Sequence, residues 1–130
     1  MRSRGLILFS ERRYAEAERD LSAYLRIRPA DYESNYAYAE VLTNLRRTDE
    51  ARGFYGYTLD LIEALREKPY GARLAETVCL QRLGRRDEAI SLYQELLEMY
   101  PKQRGLRADF ASVLLENNST EMAKSVLGMR

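Results

Sequence analysis

The sequence predicts an all-α fold, a solenoid of antiparallel helix hairpins, from three features. Four alanines, Ala17, Ala51, Ala89 and Ala123, recur at intervals of 34, 38 and 34 residues. Each has the same neighbours: a leucine nine residues before it (Leu8, Leu42, Leu80, Leu114) and a large apolar or aromatic residue four after (Leu21, Tyr55, Tyr93, Leu127). No segment sustains the alternation of a strand. Helical spacing inside a period near 34 is the pattern left by stacked two-helix repeats, because each hairpin buries its apolar face only against its neighbours.

Periodicity and punctuation predict eight helices in order. The first spans Arg2–Glu11. The second, Tyr14–Arg28, stops before Pro29, whose ring disfavours a helical residue ahead of it. The third, Tyr32–Asn44, follows Asp31, a suitable N-cap. The fourth, Asp49–Glu67, takes Thr48 as its cap and ends before Pro69. The fifth, Tyr70–Leu83, ends at Gly84, a natural left-handed residue after a helix. The sixth, Arg86–Tyr100, stops at Pro101. The seventh, Arg104–Asn117, ends in Asn117-Asn118, and the eighth, Thr120–Gly128, takes Ser119 as its cap.

Turns of two to four residues inside each pair force antiparallel neighbours. Twelve residues before each alanine stands Gly5, Ala39, Thr77 or Ala111. The small members of that set let paired backbones approach, while the leucines and tyrosines fill the grooves alongside. The longer 38-residue interval carries its four extra residues near 61–65. Four residues make about one helical turn, so the buried face keeps its direction and the fourth helix is expected to protrude.

The chain therefore reads as one repeat domain with units at 1–31, 32–69, 70–103 and 104–130. The first unit lacks opening residues and no polar capping helix closes the last. Because exposed end faces are costly in solenoids, the chain reads as a fragment of a longer array, with self-association through the ends as the rival.

Composition narrows function by exclusion. Apolar residues make up 45% and charged residues 32%, which suits a packed core under a solvated surface. The net charge of +1 gives no support to nucleic-acid binding, and no apolar stretch is long enough to insert directly in a membrane. Histidine is absent, which removes the commonest general base and metal ligand. The single cysteine, Cys79, permits no intrachain disulfide or cysteine-rich zinc site. Neither phosphate-binding glycine loop is present. Carboxylate pairs such as Asp87-Glu88 fall in a first helical turn, where they serve the helix dipole. No catalytic residues, metal or cofactor are expected, and the chain reads as a non-enzyme.

The motif Leu83-Gly84, Asp87-Glu88-Ala89, Tyr93, Leu97 and Pro101 resembles the tetratricopeptide repeat family. Gly5, Leu8, Tyr14, Ala17, Leu25 and Pro29 repeat the pattern in the first unit. Ala39, Leu42, Ala51, Tyr55 and Leu59 repeat it in the second, and Ala111, Leu114 and Ala123 in the fourth. The fit is poorest in the third unit's first helix. Asn35, Arg73 and Arg107 stand where the family often has a large apolar residue, and Glu76 where it prefers leucine.

The resemblance implies a right-handed superhelix whose first helices line a concave groove for a protein or peptide partner. Projected onto this sequence, the groove positions are Leu6, Phe9, Tyr36, Glu40, Thr43, Asn44, Leu74, Val78, Gln81, Arg82, Ala108, Ser112, Leu115 and Glu116. The groove reads as mixed, with apolar patches and few paired charges. The set of residues with which one variety of the family clamps a C-terminal carboxylate is missing: Leu6, Glu40, Leu74 and Val78 stand there instead. The resemblance also implies an alternative, a repeat segment of a bacterial exopolysaccharide export protein that recruits a modifying enzyme; a self-associating array is another. The compartment would then be cytoplasmic or periplasmic, according to the parent protein.

Three further readings remain. The pairs Arg12-Arg13, Arg46-Arg47 and Arg85-Arg86 recur at the turns, where they are expected to offset helix C-termini in preference to forming an anion-binding strip. Tyr38 and Tyr55 are assigned to the core, and Tyr32, Tyr36 and Tyr57 to the surface. Cys79, between Val78 and Leu80, reads as a packed thiol.

Overall fold

The computed structural model describes residues 2–116 and 120–128. It is all-α, a solenoid-type fold of antiparallel hairpins, with eight helices among the described residues: α1 Arg2–Ser10, α2 Tyr14–Ile27, α3 Tyr32–Asn44, α4 Thr48–Glu63, α5 Tyr70–Arg82, α6 Arg86–Met99, α7 Leu106–Glu116 and α8 Thr120–Gly128. The chain forms two compact units, Met1–Leu83 and Gly84–Arg130.

In the first unit α1 pairs with α2 and α3 with α4. The hairpins then stack, α2 against α3 and α4 against α5, while the first helices touch in series, α1 with α3 and α3 with α5. The repeated alanines sit at these closest approaches, Ala17, Ala39 and Ala51 being at most 1% exposed. Leu21, Leu42, Val41 and Ile62 fill the space between them and are fully buried. Gly5 is the tightest point: a β-carbon there would stand 2.8 Å from Leu21 Cδ2. The second unit has its own core, in which the Tyr93 ring of α6 stacks on Phe110 of α7 with centroids 5.5 Å apart, over buried Leu96, Leu106, Leu114 and Ala123.

The 38-residue interval is accommodated differently from the expected extra turn. α4 ends at Glu63, not Glu67, and a six-residue linker follows where α2–α3 has four. The helix thus absorbs two of the extra residues and the linker the other two. Leu65 explains the early stop. Its amide bonds back to Ile62 O at 3.0 Å, a tighter closure than an α-turn, and its side chain folds onto Ile62, Ala72 and Ala75. Burial of that leucine, with Pro69 just ahead, wins over continued helix.

Two expected caps act otherwise. Thr48 is the first residue of α4, and Arg47 holds the cap position. Asp31 precedes α3 but its carboxylate bonds Ser34 Oγ and Arg2 Nε instead of the helix amides. The seventh helix starts at Leu106 because Gly105 is left-handed, with φ +81°. The predicted Ser119 cap and the Asn117-Asn118 end lie outside the described residues.

At the first two turns the left-handed residue is an arginine. Arg12 has φ 61° and Arg46 φ 64°, at the repeat position where Gly84 has φ 82°. The arginine that follows the left-handed residue does the same job three times. Arg13, Arg47 and Arg85 occupy the cap position of α2, α4 and α6, and each forks onto the glutamate three residues on, Glu16, Glu50 or Glu88, with contacts of 2.7 to 2.9 Å. These arginines therefore neutralise carboxylates in the following first turn. Hydrogen bonding from its arginine holds Glu50, and likewise Glu88, below the usual carboxylate range.

The residues that departed from the repeat pattern are satisfied by short polar bonds. Asn35 is buried and donates to Pro29 O at 2.8 Å and Asp31 O at 2.9 Å. Arg73 donates to Lys68 O at 2.8 Å, and Lys68 in turn meets Glu76 at 3.0 Å. Buried Thr77, the exception among the small residues, donates back to Arg73 O at 2.7 Å. Arg107 Nε is buried without a hydrogen-bond partner among the described residues.

Candidate functional site

The first helices position the candidate residues by simple helical geometry. Leu6, Glu40, Val78 and Ser112 each lie eleven residues before a repeated alanine; Tyr36, Leu74 and Ala108 lie fifteen before. Residues four apart share a helix face, so Tyr36 stands beside Glu40 on α3 and Leu74 beside Val78 on α5. In the first unit Leu6 and Phe9 of α1, Tyr36, Glu40 and Thr43 of α3, and Leu74, Val78 and Gln81 of α5 are half-buried, while Asn44 and Arg82 are exposed. In the second unit Ala108, Ser112, Leu115 and Glu116 of α7 are exposed. None of these positions is fully buried, in contrast to Ala37, Ala39 and Val41 on α3.

The centre of the first-unit face is polar and tightly connected. Glu40 is 12% exposed at its side chain. Its Oε1 accepts the Tyr55 hydroxyl at 2.6 Å and Arg82 Nε at 3.1 Å, and its Oε2 is 3.4 Å from Arg82 Nη2. Thr43 Oγ1 lies 2.9 Å from the Tyr55 hydroxyl and donates to Ala39 O. The network joins α3, α4 and α5. Asn44 turns away and bonds Glu40 O on its own helix at 2.8 Å.

Among the described groove residues one ion pair is present, Glu40–Arg82. The Glu40–Arg82 pair spans 42 residues, one 38-residue repeat interval plus one helical turn, so the signal was available by comparing each groove position with the next unit shifted by four. Tyr55 is in the core as expected, and its hydroxyl also anchors a groove carboxylate. Tyr57 is exposed as expected. Tyr32 and Tyr36 are not: both pack partly onto Ile62, Ala72 and Ala75.

Electrostatics follow from burial. Desolvation first, and the Glu40 charge second, push the Tyr36 and Tyr55 phenols far above their ordinary value, so both remain neutral hydroxyls. Burial lowers the Arg82 value, but hydrogen bonding and attraction from Glu40 outweigh it and the guanidinium stays charged. Cys79 is fully buried and its thiol is pushed up to about 12 by burial, then by Glu40 and Glu76. It is the packed thiol expected. The network offers hydrogen bonding and charge without an accessible nucleophile, and no metal-binding cluster of acidic, histidine or cysteine groups occurs among the described residues.

The second unit carries a separate apolar cleft of about 580 Å³ between α6 and α8, floored by Phe110 and walled by Leu97, Met122 and Val126. No helix among the described residues is long and apolar enough to cross a membrane.

No curated protein matches the chain. Nineteen solved chains do, among them MamA MSR-1 C2, with 17% identity and a TM-score of 0.59 over 94% of this chain and 68% of that one. At that identity the likeness concerns the fold. A tetratricopeptide repeat model matches residues 2–72 and a second matches residues 73–102. Since the first alone spans more than half of the sequence, the chain belongs to the tetratricopeptide repeat family, a family of protein-interaction scaffolds.

Proposed function

We propose that the chain is a non-catalytic scaffold that holds a segment of a protein partner on the face formed by α1, α3 and α5. One observation supports this most. The ten first-unit positions projected for a groove share these helices and all keep some solvent exposure, while Ala37, Ala39 and Val41 on the same α3 are buried. Half-buried Leu6, Phe9, Leu74 and Val78 supply apolar area, and Tyr36 supplies an aromatic anchor of the kind that dominates interface energies. The Glu40–Arg82 network between them fixes orientation, as a few placed polar groups do in an otherwise apolar site. In the second unit, Ala108, Ser112 and Leu115 present the corresponding face of α7.

A pull-down comparing the wild-type chain with Tyr36→Ala/Leu74→Ala tests the placement. The double variant is expected to retain its helical circular dichroism and lose the partner, since truncation of a single hot-spot residue costs about 2 kcal/mol or more. Equal capture by both forms would remove the site from this face.

A further inference from the structure

The Glu40–Arg82 pair is asymmetric. Glu40 is a fixed acceptor: it is nearly buried, and Tyr55 holds its Oε1 at 2.6 Å. Arg82 is a loosely seated donor. Its side chain is 38% exposed at the last residue of α5, and its two contacts with Glu40 measure 3.1 and 3.4 Å. The Arg13, Arg47 and Arg85 forks, at similar or greater exposure, close at 2.7 to 2.9 Å. Among the described residues Glu40 Oε2 has only the long contact, although a carboxylate oxygen accepts two good bonds. A buried acceptor with unused capacity beside a donor that fits poorly is a place where one cation can replace another.

Resting on the proposed partner-binding face, we infer that the Glu40 recess is a recognition pocket for an arginine side chain of the partner, and that Arg82 occupies it as an internal stand-in. The recess suits guanidinium better than ammonium. Two carboxylate oxygens match its planar fork, and the half-buried Tyr36 ring stands one turn away on the same face of α3. Tyr36 and Tyr55 stay neutral, so Glu40 is the group that supplies negative charge. Displacement is open to a stronger fork because Arg82, 38% exposed, can swing into water and keep its charge solvated. The device makes binding depend on the strength of the incoming fork, since the partner must outcompete a residue tethered in place.

Titration calorimetry with N-acetyl-arginine amide as the probe, and the neutral N-acetyl-citrulline amide as control, tests this on the wild-type chain, Arg82→Ala and Arg82→Ala/Glu40→Gln. Arg82→Ala is expected to bind the arginine derivative at least about tenfold more tightly than wild type, the size of one net hydrogen bond to a charged group. The citrulline derivative should not discriminate, and the double variant should lose the gain. Equal affinity of wild type and Arg82→Ala, or equal binding of both probes, would overturn the inference. If Arg82→Ala loses its helical signal, Arg82→Gln replaces it with the same two outcomes. A partner segment lost by Tyr36→Ala/Leu74→Ala but held equally with or without its arginines would sink this pocket and leave the broader reading intact.

Discussion

The Tyr55 hydroxyl donates 2.6 Å to Glu40 from the neighbouring helix, placing a core residue of α4 in control of the most buried carboxylate on the first-helix face. Tyr55→Phe keeps the ring packing and deletes the donor. A hydrogen bond to a charged group contributes about 1.5–3 kcal/mol net, and the variant is expected to lose that much in urea unfolding, with an unchanged m-value. An unaltered midpoint would show that Arg82 alone satisfies Glu40.

Gly5 has no room for a side chain. A β-carbon would meet Leu21 Cδ2 at 2.8 Å and Cγ at 2.9 Å, and Leu21 is fully buried. Gly5→Ala would gain helix propensity, yet overpacking of this kind costs about 1–3 kcal/mol and should dominate. Thermal unfolding checks the sign, and Gly5→Ala/Leu21→Val should recover part of the loss. A rise in the midpoint for Gly5→Ala alone would mean that α1 and α2 separate freely.

The left-handed turn residues offer the opposite test. Arg12 and Arg46 adopt a conformation that costs a side-chain-bearing residue about 1 kcal/mol or more relative to glycine. Arg46→Gly is expected to raise stability by about 0.5–1 kcal/mol after the added freedom of the unfolded chain is counted. Gly84→Ala is expected to lower it by a similar amount. Denaturant melts of the two variants should move in opposite directions; movement in the same direction would contradict the shared turn geometry.

Cys79 predicts both a reactivity and a pH effect. The folded chain should resist dithionitrobenzoate at pH 8 until it unfolds, because the thiol is buried and its value stands near 12. Immediate labelling would contradict that burial. The sign of the linkage follows from the raised value. Below the ordinary 9.0 both states hold the proton, and stability is complete. Between 9.0 and about 12 the unfolded chain releases the proton while the folded chain keeps it, so stability declines as pH rises. Raised Tyr36 and Tyr55 act in the same direction above their ordinary 10.0. Urea midpoints taken from pH 8 to 11 should fall steadily.

The sequence disclosed the helices where packing and local chemistry agree. The spacing around Ala17, Ala39 and Ala89 reproduced α2, α3 and α6 to within a residue, since buried alanines and flanking prolines act at short range. It misjudged α4 because the stop depends on Leu65 turning back onto Ala72 and Ala75, a contact across a linker that no helix-stop residue announces. Asp31 misled for a similar reason: Arg2, 29 residues earlier, draws its carboxylate away from the helix end. The family resemblance supplied the candidate positions, Tyr36, Glu40 and Val78 among them, and the structure leaves these three half-buried. The wiring of the candidate face was not legible, because Glu40 meets Arg82 only after two hairpins have stacked.

The forks of Arg13, Arg47 and Arg85 place each cation and its counter-charge within a single turn of chain. Three second helices, α2, α4 and α6, thus carry a counter-charge for their own first turn. Those local pairs travel with their hairpin when one is duplicated or deleted, whereas Arg2–Asp31, Arg47–Glu18 and Glu40–Arg82 must be formed anew with each neighbour, so it is these three contacts that limit which hairpins can follow one another.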